Sequence, residues 1–583
     1  MKGWMGKFVE IDLTDGSFFI GKTDVDFAMK FLGGRGLGVF LLKKEMKIEP
    51  FDPRMPIFIG SGPLAGTPFP SSCRLSMVFR SPLTMTVFDT EAVGDFSVRL
   101  KQAGFDYLII RGRAKVPSLI RIENSRIKVE PCHALWGKGV NSTVSSLNER
   151  GASILCIGPA GERMVSFASV SMDGHTNFGR GGGGAVWGSK NLKAIVVKGR
   201  GKVDVADCDS LNKVQSDIMK MLNASPFLSG KSGLINTGTL ALLDLTDSRR
   251  MMPVRNFSAT WFPETGKINA QEMKKIYGRR NYGCYGCPVK CKKFDLKGNP
   301  LPEFQSASHL GPLNDNDDIR SIYEANLLCN DMGLDTISFG GTMACYGEFR
   351  QKFVTGSQLV SFVRKIAMKE KGDGESLAEG SARWAEFNGC KELSMTVKGL
   401  ELPAYDPRGA YGMALGYAVS NRGGCHLRSY PVRHEILRRP VATNRFSFEG
   451  KARIIKIEED ENASADSLLV CKFLLYGAGI EECARGLTSV TGISYDAQDL
   501  LRIGSRIVLL ERWINAENGF SKKDDKLPER FFNEPGSSDD RLEIPPLPEE
   551  EFELTLQKYY KIRGCNENGV PRDEMMDSSG AGK

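Results

Sequence analysis

The sequence contains no long apolar run and little histidine. It has 5 His among 583 residues, and no apolar stretch approaches the roughly 20 residues that a helix needs to cross a bilayer. Residues 1–16 alternate between polar and apolar side chains like a strand, without the apolar core or cleavage site of a signal peptide. We therefore expect a cytoplasmic protein that does not bind a membrane.

Charge of one sign is not concentrated in any segment. The chain has 78 Lys and Arg against 70 Asp and Glu, a formal net charge of +8. Proteins that bind nucleic acid usually carry a basic patch or stripe, so we expect no nucleic-acid partner. Without a secretory signal, the 14 Cys are better explained as thiols and metal ligands than as a disulfide framework.

The order of apolar patterns predicts an α+β fold with three domains. Residues 1–203 are β-rich, with short apolar runs between Gly and Pro turns. Helical periodicity then dominates residues 204–401 and 402–583, and a stretch rich in Pro and Gly, residues 402–416, separates these two parts. The last residues, 575–583, are expected to form a disordered tail.

Three cysteines stand close together as Cys284, Cys287 and Cys291. Thiolates at this density can hold one inorganic centre, and a four-iron cluster needs four of them. Radical-SAM enzymes usually have the opposite spacing, and a zinc ribbon would need a second close pair, which does not follow. The fourth ligand must be distant, and the spacing leaves several cysteines open: Cys329, Cys345, Cys425, Cys471 and Cys483.

A glycine-rich loop occupies residues 179–184. Successive glycines let backbone amides turn toward an anion and let a bulky ligand approach. The loop matches G-x-G-x-x-G, with Asp204 further on, but only about ten residues separate it from the next strand, too few for the crossover helix of a dinucleotide site. The pattern favours a phosphate-bearing cofactor that is not a simple dinucleotide.

Longer motifs along the whole chain resemble the aldehyde:ferredoxin oxidoreductase family. They are residues 31–37 (FLGGRGL), 62–67 (GPLAGT), 157–162 (IGPAGE), 184–194 (GAVWGSKNLKA), 333–338 (GLDTIS), 402–410 (LPAYDPRGA), 421–426 (NRGGCH) and 558–564 (KYYKIRG). The resemblance implies a β-rich N-terminal domain that binds a tungsten bis-pterin cofactor, with molybdenum as the alternative metal, followed by two mostly helical domains.

Members of this family oxidise aldehydes to carboxylic acids. The resemblance implies that electrons pass through one [4Fe-4S] cluster to ferredoxin or to an iron–sulfur electron-transfer subunit. It also allows a Mg²⁺ ion that bridges the pterin phosphates. The alternatives are a related tungsten enzyme that reduces an acid or thioester, and a degenerate paralogue that serves as a non-catalytic electron relay.

The resemblance assigns roles to particular residues. Cys471 matches the fourth cluster ligand, beside Cys284, Cys287 and Cys291. Asp466 and Asp335 match carboxylates that accept hydrogen bonds from pterin ring N–H groups, a strong and directional contact. The expected cofactor-binding set is Arg74, Asn177, Gly179, Arg180, Leu334, Asp335, Asp466 and Val470.

The chain departs from the family pattern inside the expected cofactor site. This chain has Asn330 where the family has an Asp, and Thr176 where the glycine loop of the family usually has an Arg. It has residues 91–93 (EAV) where the family tends to have Asn-x-Gly. An altered grip on the cofactor or an altered substrate pocket is expected from these changes.

Better-known family members place a mononuclear iron between two subunits through a Glu-x-x-His motif and a second His. Here the motif ends in Leu327 after Glu324, and the second position is Ser361. Neither position offers an imidazole, so a homodimer, if formed, is expected to lack this iron.

The family pairs a Glu with a His near the tungsten. The Glu is identified as Glu303, and the His position is read as Met413. A group that titrates near neutrality suits proton release, and His is the usual one. His309, six residues after Glu303, is therefore predicted to replace the missing imidazole, with Glu303 as its partner.

Overall fold

The computed structural model describes residues 2–537 and 542–579. The strands are β1 (Lys7–Asp12), β2 (Ser17–Lys22), β3 (Ile57–Gly60), β4 (Arg74–Arg80), β5 (Val87–Val93), β6 (Tyr107–Arg111), β7 (Ser118–Glu123), β8 (Arg126–Pro131), β9 (Ala152–Ile157), β10 (Val170–Met172), β11 (Thr176–Phe178), β12 (Leu192–Lys198), β13 (Arg280–Tyr282), β14 (Lys292–Phe294), β15 (Thr396–Val397) and β16 (Leu400–Glu401). The strands from β1 to β12 build two sheets, and the remaining four form two short antiparallel pairs.

Helices make up most of the chain after β12. They are α1 (Val25–Phe31), α2 (Gly34–Leu42), α3 (Phe96–Gln102), α4 (Val140–Leu147), α5 (Pro159–Glu162), α6 (Gly183–Ser189), α7 (Cys208–Ala224), α8 (Pro226–Ser229), α9 (Leu234–Thr237), α10 (Leu242–Ser248), α11 (Ala270–Tyr277), α12 (Phe304–Leu310), α13 (Ile319–Met332), α14 (Thr336–Phe349), α15 (Gly356–Ala367), α16 (Asp373–Leu377), α17 (Ser381–Phe387), α18 (Tyr411–Val419), α19 (Val432–Glu435), α20 (Lys451–Leu468), α21 (Ile480–Thr491), α22 (Ala497–Glu517), α23 (Arg530–Asn533), α24 (Glu549–Arg563) and α25 (Asp573–Ser579). The predicted α+β fold with a β-rich N-terminal part is confirmed.

Each of the two large sheets has six strands, in the orders β2-β1-β6-β3-β4-β5 and β11-β10-β9-β12-β7-β8. The pairs β1–β6 and β7–β12 are parallel, and the other pairs are antiparallel. In β3, all four residues are buried, which fits a strand covered on both faces. Strand β11 of the second sheet lies against β5 of the first, so the two sheets meet beside the glycine-rich loop.

Three details differ from the expectations. The glycine-rich loop is followed by α6, a helix of 7 residues, so a short helix does fit before β12. The stretch 402–416 is not only a separator, because α18 begins within it at Tyr411. The expectation of a disordered tail is wrong for residues 575–579, which belong to α25, and residues 580–583 lie outside the described part of the chain.

The boundaries 203/204 and 401/402 stay predictions. The last strand of the second sheet ends at Lys198, close to the first boundary. The short strands β15 and β16 pair with each other at the second boundary. Within the described residues, no helix has the length and apolar character needed to span a bilayer.

Helix α20 is buried although it is rich in carboxylates. Glu459 and Asp460 lie on it, are almost fully buried, and both pair with Arg563 at the end of α24. The Arg563 guanidinium lies 2.6 Å from a carboxylate oxygen of Glu459. Buried charges are tolerated only when they are paired, because desolvation of a lone charge costs several kcal/mol. The contact therefore fixes α24 against α20.

We predict that Arg563→Met destabilises the protein by about 3–5 kcal/mol, because it leaves the buried Glu459 without its cation. Asp460 loses one of its two cations and keeps Lys456, which lies 2.6 Å away. The urea midpoint, followed by tryptophan fluorescence, should fall. Lys561→Met is the matched control, since Lys561 is an exposed cation on the same helix, and its midpoint should stay at the wild-type value. Equal midpoints for the two variants would contradict the role of this ion pair.

Candidate functional site

A cavity of about 410 Å³ lies where the two sheets meet the helical part of the chain. Most of the predicted site residues line it: Arg74, Asn177, Gly179, Arg180, Cys284, Cys287, Cys291, Glu303, Leu334, Asp335, Asp466 and Cys471. Val470 is fully buried behind this wall. The structure thus brings together residues from β4, the glycine-rich loop, the cysteine motif and the end of α20.

Cys471 is the distant cysteine that joins the three motif cysteines. Burial raises the pKa of the Cys471 thiol, and the nearby Cys287 and Cys284 raise it further. Among the other open candidates, Cys329, Cys345 and Cys483 are fully buried and do not line the cavity. Cys425 does line it, but its sulfur accepts a hydrogen bond from an arginine instead. The geometry therefore favours Cys471 as the fourth ligand.

The turn at the end of α20 aims Cys471 at the cavity. Leu469 has a φ of 60° and ends the helix in the left-handed conformation. This conformation normally favours glycine, and here it is adopted by a leucine whose side chain is fully buried. The backbone N–H of Cys471 then donates to the carbonyl of Ser71, 2.9 Å away.

Asp466 is the most heavily paired carboxylate of the cavity wall. It lies 3.2 Å from Arg35, 3.3 Å from Arg428 and 2.5 Å from Lys472. Burial works against ionisation, but these three cations outweigh it and hold the pKa of Asp466 below its usual value. The group is therefore an ionised hydrogen-bond acceptor at neutral pH.

Arg74 and Glu91 form a contact that the family pattern does not contain. Arg74 Nε lies 2.6 Å from Glu91 Oε2, because β4 and β5 are antiparallel neighbours and place the two residues near the same end. Burial and the nearby charge of Asp466 raise the pKa of Glu91 to about 7 in spite of Arg74. Glu91 thus adds a titratable carboxyl to the cofactor side of the cavity.

The glycine loop and Asp335 are held by contacts within the protein. Asp335 begins α14 and accepts backbone N–H bonds from Ile337 and Ser338, at 3.1 and 3.2 Å. Arg180 lies 3.4 Å from Asp335 and also donates to backbone carbonyls of residues 401 and 424. Asn177 Nδ2 donates to Asn330 Oδ1 at 2.7 Å. Asn330, which replaces the Asp of the family pattern, thus has a hydrogen-bond partner in the amide of Asn177.

Several buried polar atoms at the cavity have no hydrogen-bond partner among the described residues. They are Asp89 Oδ2, Asn177 Oδ1, Gln305 Nε2, Arg422 Nε, His426 Nδ1 and Arg428 Nε. An unsatisfied buried donor or acceptor costs about 1–3 kcal/mol. Such a set around one cavity fits a polar, multiply hydrogen-bonding ligand, as a pterin with its phosphate would be.

His309 does not line the cavity. Its two ring nitrogens lie 2.8 Å from the carbonyl of Gln305 and 3.0 Å from that of Leu402. Burial lowers the pKa of His309 to about 4. The neutral ring has one N–H and donates to one of these two carbonyls, and both of its nitrogens face backbone oxygens instead of the cavity. The geometry therefore does not favour the predicted proton-transfer role.

Met413 is fully buried on α18 and does not line the cavity either. The inference that the site lost an imidazole at this position is therefore not supported by the geometry. An imidazole does face the cavity, and it belongs to His426. Burial, followed by the charges of Arg180 and Arg422, lowers the pKa of His426 well below its usual value, so the ring is neutral.

Sequence reasoning missed Gln305, Cys425 and the full significance of His426. Gln305 Oε1 accepts the backbone N–H of Ala404 at 2.8 Å, which leaves its amide nitrogen free to donate. The Cys425 sulfur accepts from Arg422 Nη2 at 2.9 Å. Burial opposes ionisation, but Arg422 and its neighbouring arginines lower the pKa of Cys425 to about 7. The motif 421–426 was the available signal for the last two residues.

Glu303 lines the cavity beside a lysine. Lys292 Nζ lies 2.8 Å from Glu303 Oε1. The charge of Lys292 lowers the pKa of Glu303 and outweighs the effect of burial. Glu303 is therefore an ionised, paired carboxylate, which is better suited to orienting a neighbour than to accepting protons near neutrality.

Two family models match the chain. The N-terminal domain of aldehyde ferredoxin oxidoreductase matches residues 8–199, and domains 2 and 3 of the same family match residues 213–580. The tungsten-containing aldehyde ferredoxin oxidoreductase of Pyrococcus furiosus is 37% identical, with 99% of each chain covered. That of Thermococcus kodakarensis is 36% identical, with 98% of each covered.

More distant relatives have other activities. An aliphatic sulfonate oxidoreductase, WOR-like subunit, of Pyrococcus furiosus is 26% identical and covers 100% of this chain, which covers 98% of that protein. Among solved structures, a chain of the active site complex BamBC of benzoyl coenzyme A reductase matches this chain with a TM-score of 0.85 and 22% sequence identity. The match covers 100% of this chain and 97% of that one. At this identity the second likeness shows the fold alone.

We predict that Cys471→Ala lowers the iron content of anaerobically purified protein, because a four-iron cluster needs four thiolates. Cys483→Ala is the matched control, since Cys483 is a buried cysteine that does not line the cavity. Its iron content should equal that of the wild type. If Cys471→Ala retains about four irons per chain and an unchanged redox spectrum, the fourth ligand is a different residue.

Proposed function

Because the chain belongs to the aldehyde ferredoxin oxidoreductase family, we propose that it oxidises an aldehyde and water to a carboxylic acid, two protons and two electrons. The electrons pass singly through one [4Fe-4S] cluster to ferredoxin or to an iron–sulfur electron-transfer subunit. The observation that carries the proposal is the single cavity that joins four cysteines to a wall of unpartnered polar groups. The tungsten-containing relatives support a tungsten oxidoreductase with an iron–sulfur cofactor.

The residues at the cavity fit a tungsten bis-pterin group. Asp466 and Asp335 would accept its ring N–H groups, and Arg74, Asn177 and Gly179 would lie beside its pterins and phosphates. A Mg²⁺ ion bridging the phosphates is part of the same proposal, and molybdenum is the alternative metal. When bound, the group supplies the two-electron redox chemistry that side chains lack.

The protein's own part is to orient the substrate and to move protons. The free amide N–H of Gln305 can donate to the aldehyde oxygen, because its other atom is fixed by Ala404. The neutral ring of His426 presents an unpartnered Nδ1 to the same cavity and can hold or pass on a proton there. Three aromatic rings, Phe304, Tyr405 and Tyr430, line the wall near His426 and exclude water from that side.

We predict that His426→Ala lowers kcat for aldehyde oxidation by about 10²- to 10⁴-fold, the usual effect of losing an acid–base group. Tungsten and iron contents should stay at the wild-type level. His309→Ala tests the earlier hypothesis: a similar loss of rate there, with full activity in His426→Ala, would favour His309 instead. Turnover should be measured with an aldehyde and an artificial electron acceptor, so that a missing ferredoxin does not mask activity.

The direction of the reaction is tested in the same assay. An enzyme that reduces an acid or thioester with a low-potential donor, and does not oxidise aldehydes, would replace the proposed activity. Protein with iron but without tungsten or molybdenum would instead indicate an electron relay without catalysis.

We also predict no iron beyond the cluster in a homodimer. Glu324 is exposed on α13 and Ser361 is exposed on α15, and these two helices pack together. With Leu327 and Ser361 in place of imidazoles, one carboxylate binds a divalent ion too weakly to retain it during gel filtration. About four irons per chain are expected by elemental analysis, and a fifth iron that a mild chelator removes would contradict this.

A further inference from the structure

The segment 71–74, which leads into β4, lies against the proposed cluster ligands. Ser71 Oγ donates to Cys287 Sγ at 3.4 Å, and Arg74 Nη1 donates to Cys471 Sγ at 3.7 Å. Cys73, between these two residues, is buried and lines the same cavity. The two hydrogen bonds thus pair two residues of the segment with different cysteines.

The backbone fixes this segment in place from both sides. The carbonyl of Ser71 accepts the N–H of Cys471 at 2.9 Å, and the N–H of Ser71 donates to the carbonyl of Gly286 at 3.4 Å. Gly286 lies between two motif cysteines. The segment therefore bridges the motif loop and the turn after α20.

Alternate residues of the segment point in different directions. Ser71 and Cys73 line the cavity. Ser72 points away from it, because its Oγ donates to the carbonyls of Leu64 and Phe69 at 3.0 and 2.9 Å. All three side chains are buried, so water competes little with these hydrogen bonds.

We propose that Ser71 is a positioning residue that raises the reduction potential of the cluster by a hydrogen bond to the sulfur of Cys287. Reduction adds one negative charge to the cluster and its thiolates. A hydrogen bond to a ligand sulfur is stronger when that sulfur carries more charge, so it stabilises the reduced state and raises the potential. The Ser71 hydroxyl donates without adding a charge, whereas Arg74 contributes one.

This inference rests on the proposed cluster and is independent of the substrate. The cluster keeps its four proposed thiolates from Cys284, Cys287, Cys291 and Cys471, so Ser71 acts on a ligand without being one.

The test is a redox titration of the reduced cluster followed by EPR, with iron content measured on the same samples. Ser71→Gly removes the hydroxyl without backbone strain, because φ at this position is 59° and glycine accepts such values. Cys73→Ala removes the buried thiol of the same segment and tests whether that residue is a ligand. Ser72→Ala is the matched control within the segment.

We expect about four irons per chain in all three variants. The midpoint potential should shift to more negative values in Ser71→Gly and stay at the wild-type value in Ser72→Ala. A potential in Ser71→Gly equal to that of Ser72→Ala would overturn the inference. Loss of one iron or more in Cys73→Ala would also overturn it, because the cluster would then have a different set of ligands. Wild-type protein without a cluster would contradict the proposed function instead.

Discussion

The pairing of buried charges around Asp466 is the constraint on which the cavity depends. Arg35 of α2 binds Glu511 of α22 through two contacts of 2.7 Å and also lies 3.2 Å from Asp466. Arg428 joins Asp466 to Asp89 of β5. Since none of these groups reaches water, each must find its counter-charge inside the protein. The network therefore ties the first sheet to two helices of the C-terminal part and fixes the walls of the cavity.

Buried ion pairs also occur along the rest of helix α20. Toward its start, Glu458 and Glu461 pair with Arg433, and Glu459 with Asp460 holds Arg563 of α24. Its end presents Asp466 to the cavity and then turns to Cys471. Burying this many carboxylates on one helix is possible here because arginines from other elements pair with them.

Two chemically different groups of residues line the cavity. The cysteine sulfurs and the donors of the segment 71–74 form the first. The second has His426 and Tyr405, whose rings lie 5.7 Å apart, together with the free amide of Gln305. Under the proposed function, the first group would serve electron transfer and the second would orient the substrate and move protons.

The sequence by itself determined the β-rich to helical order, the motif cysteines and the glycine-rich loop, because these depend on neighbours in the chain. Close cysteines must share a site, and the alternation of apolar residues sets the type of each element. The spacing of the cysteines left the fourth ligand open, and the family resemblance pointed to Cys471. Only the tertiary structure decided that Cys73 lies at the same cavity, and that His426 lines this cavity while His309 lies against backbone carbonyls. Those outcomes depend on how α12, α20 and β4 pack, and packing brings together residues hundreds of positions apart, which local pattern does not encode.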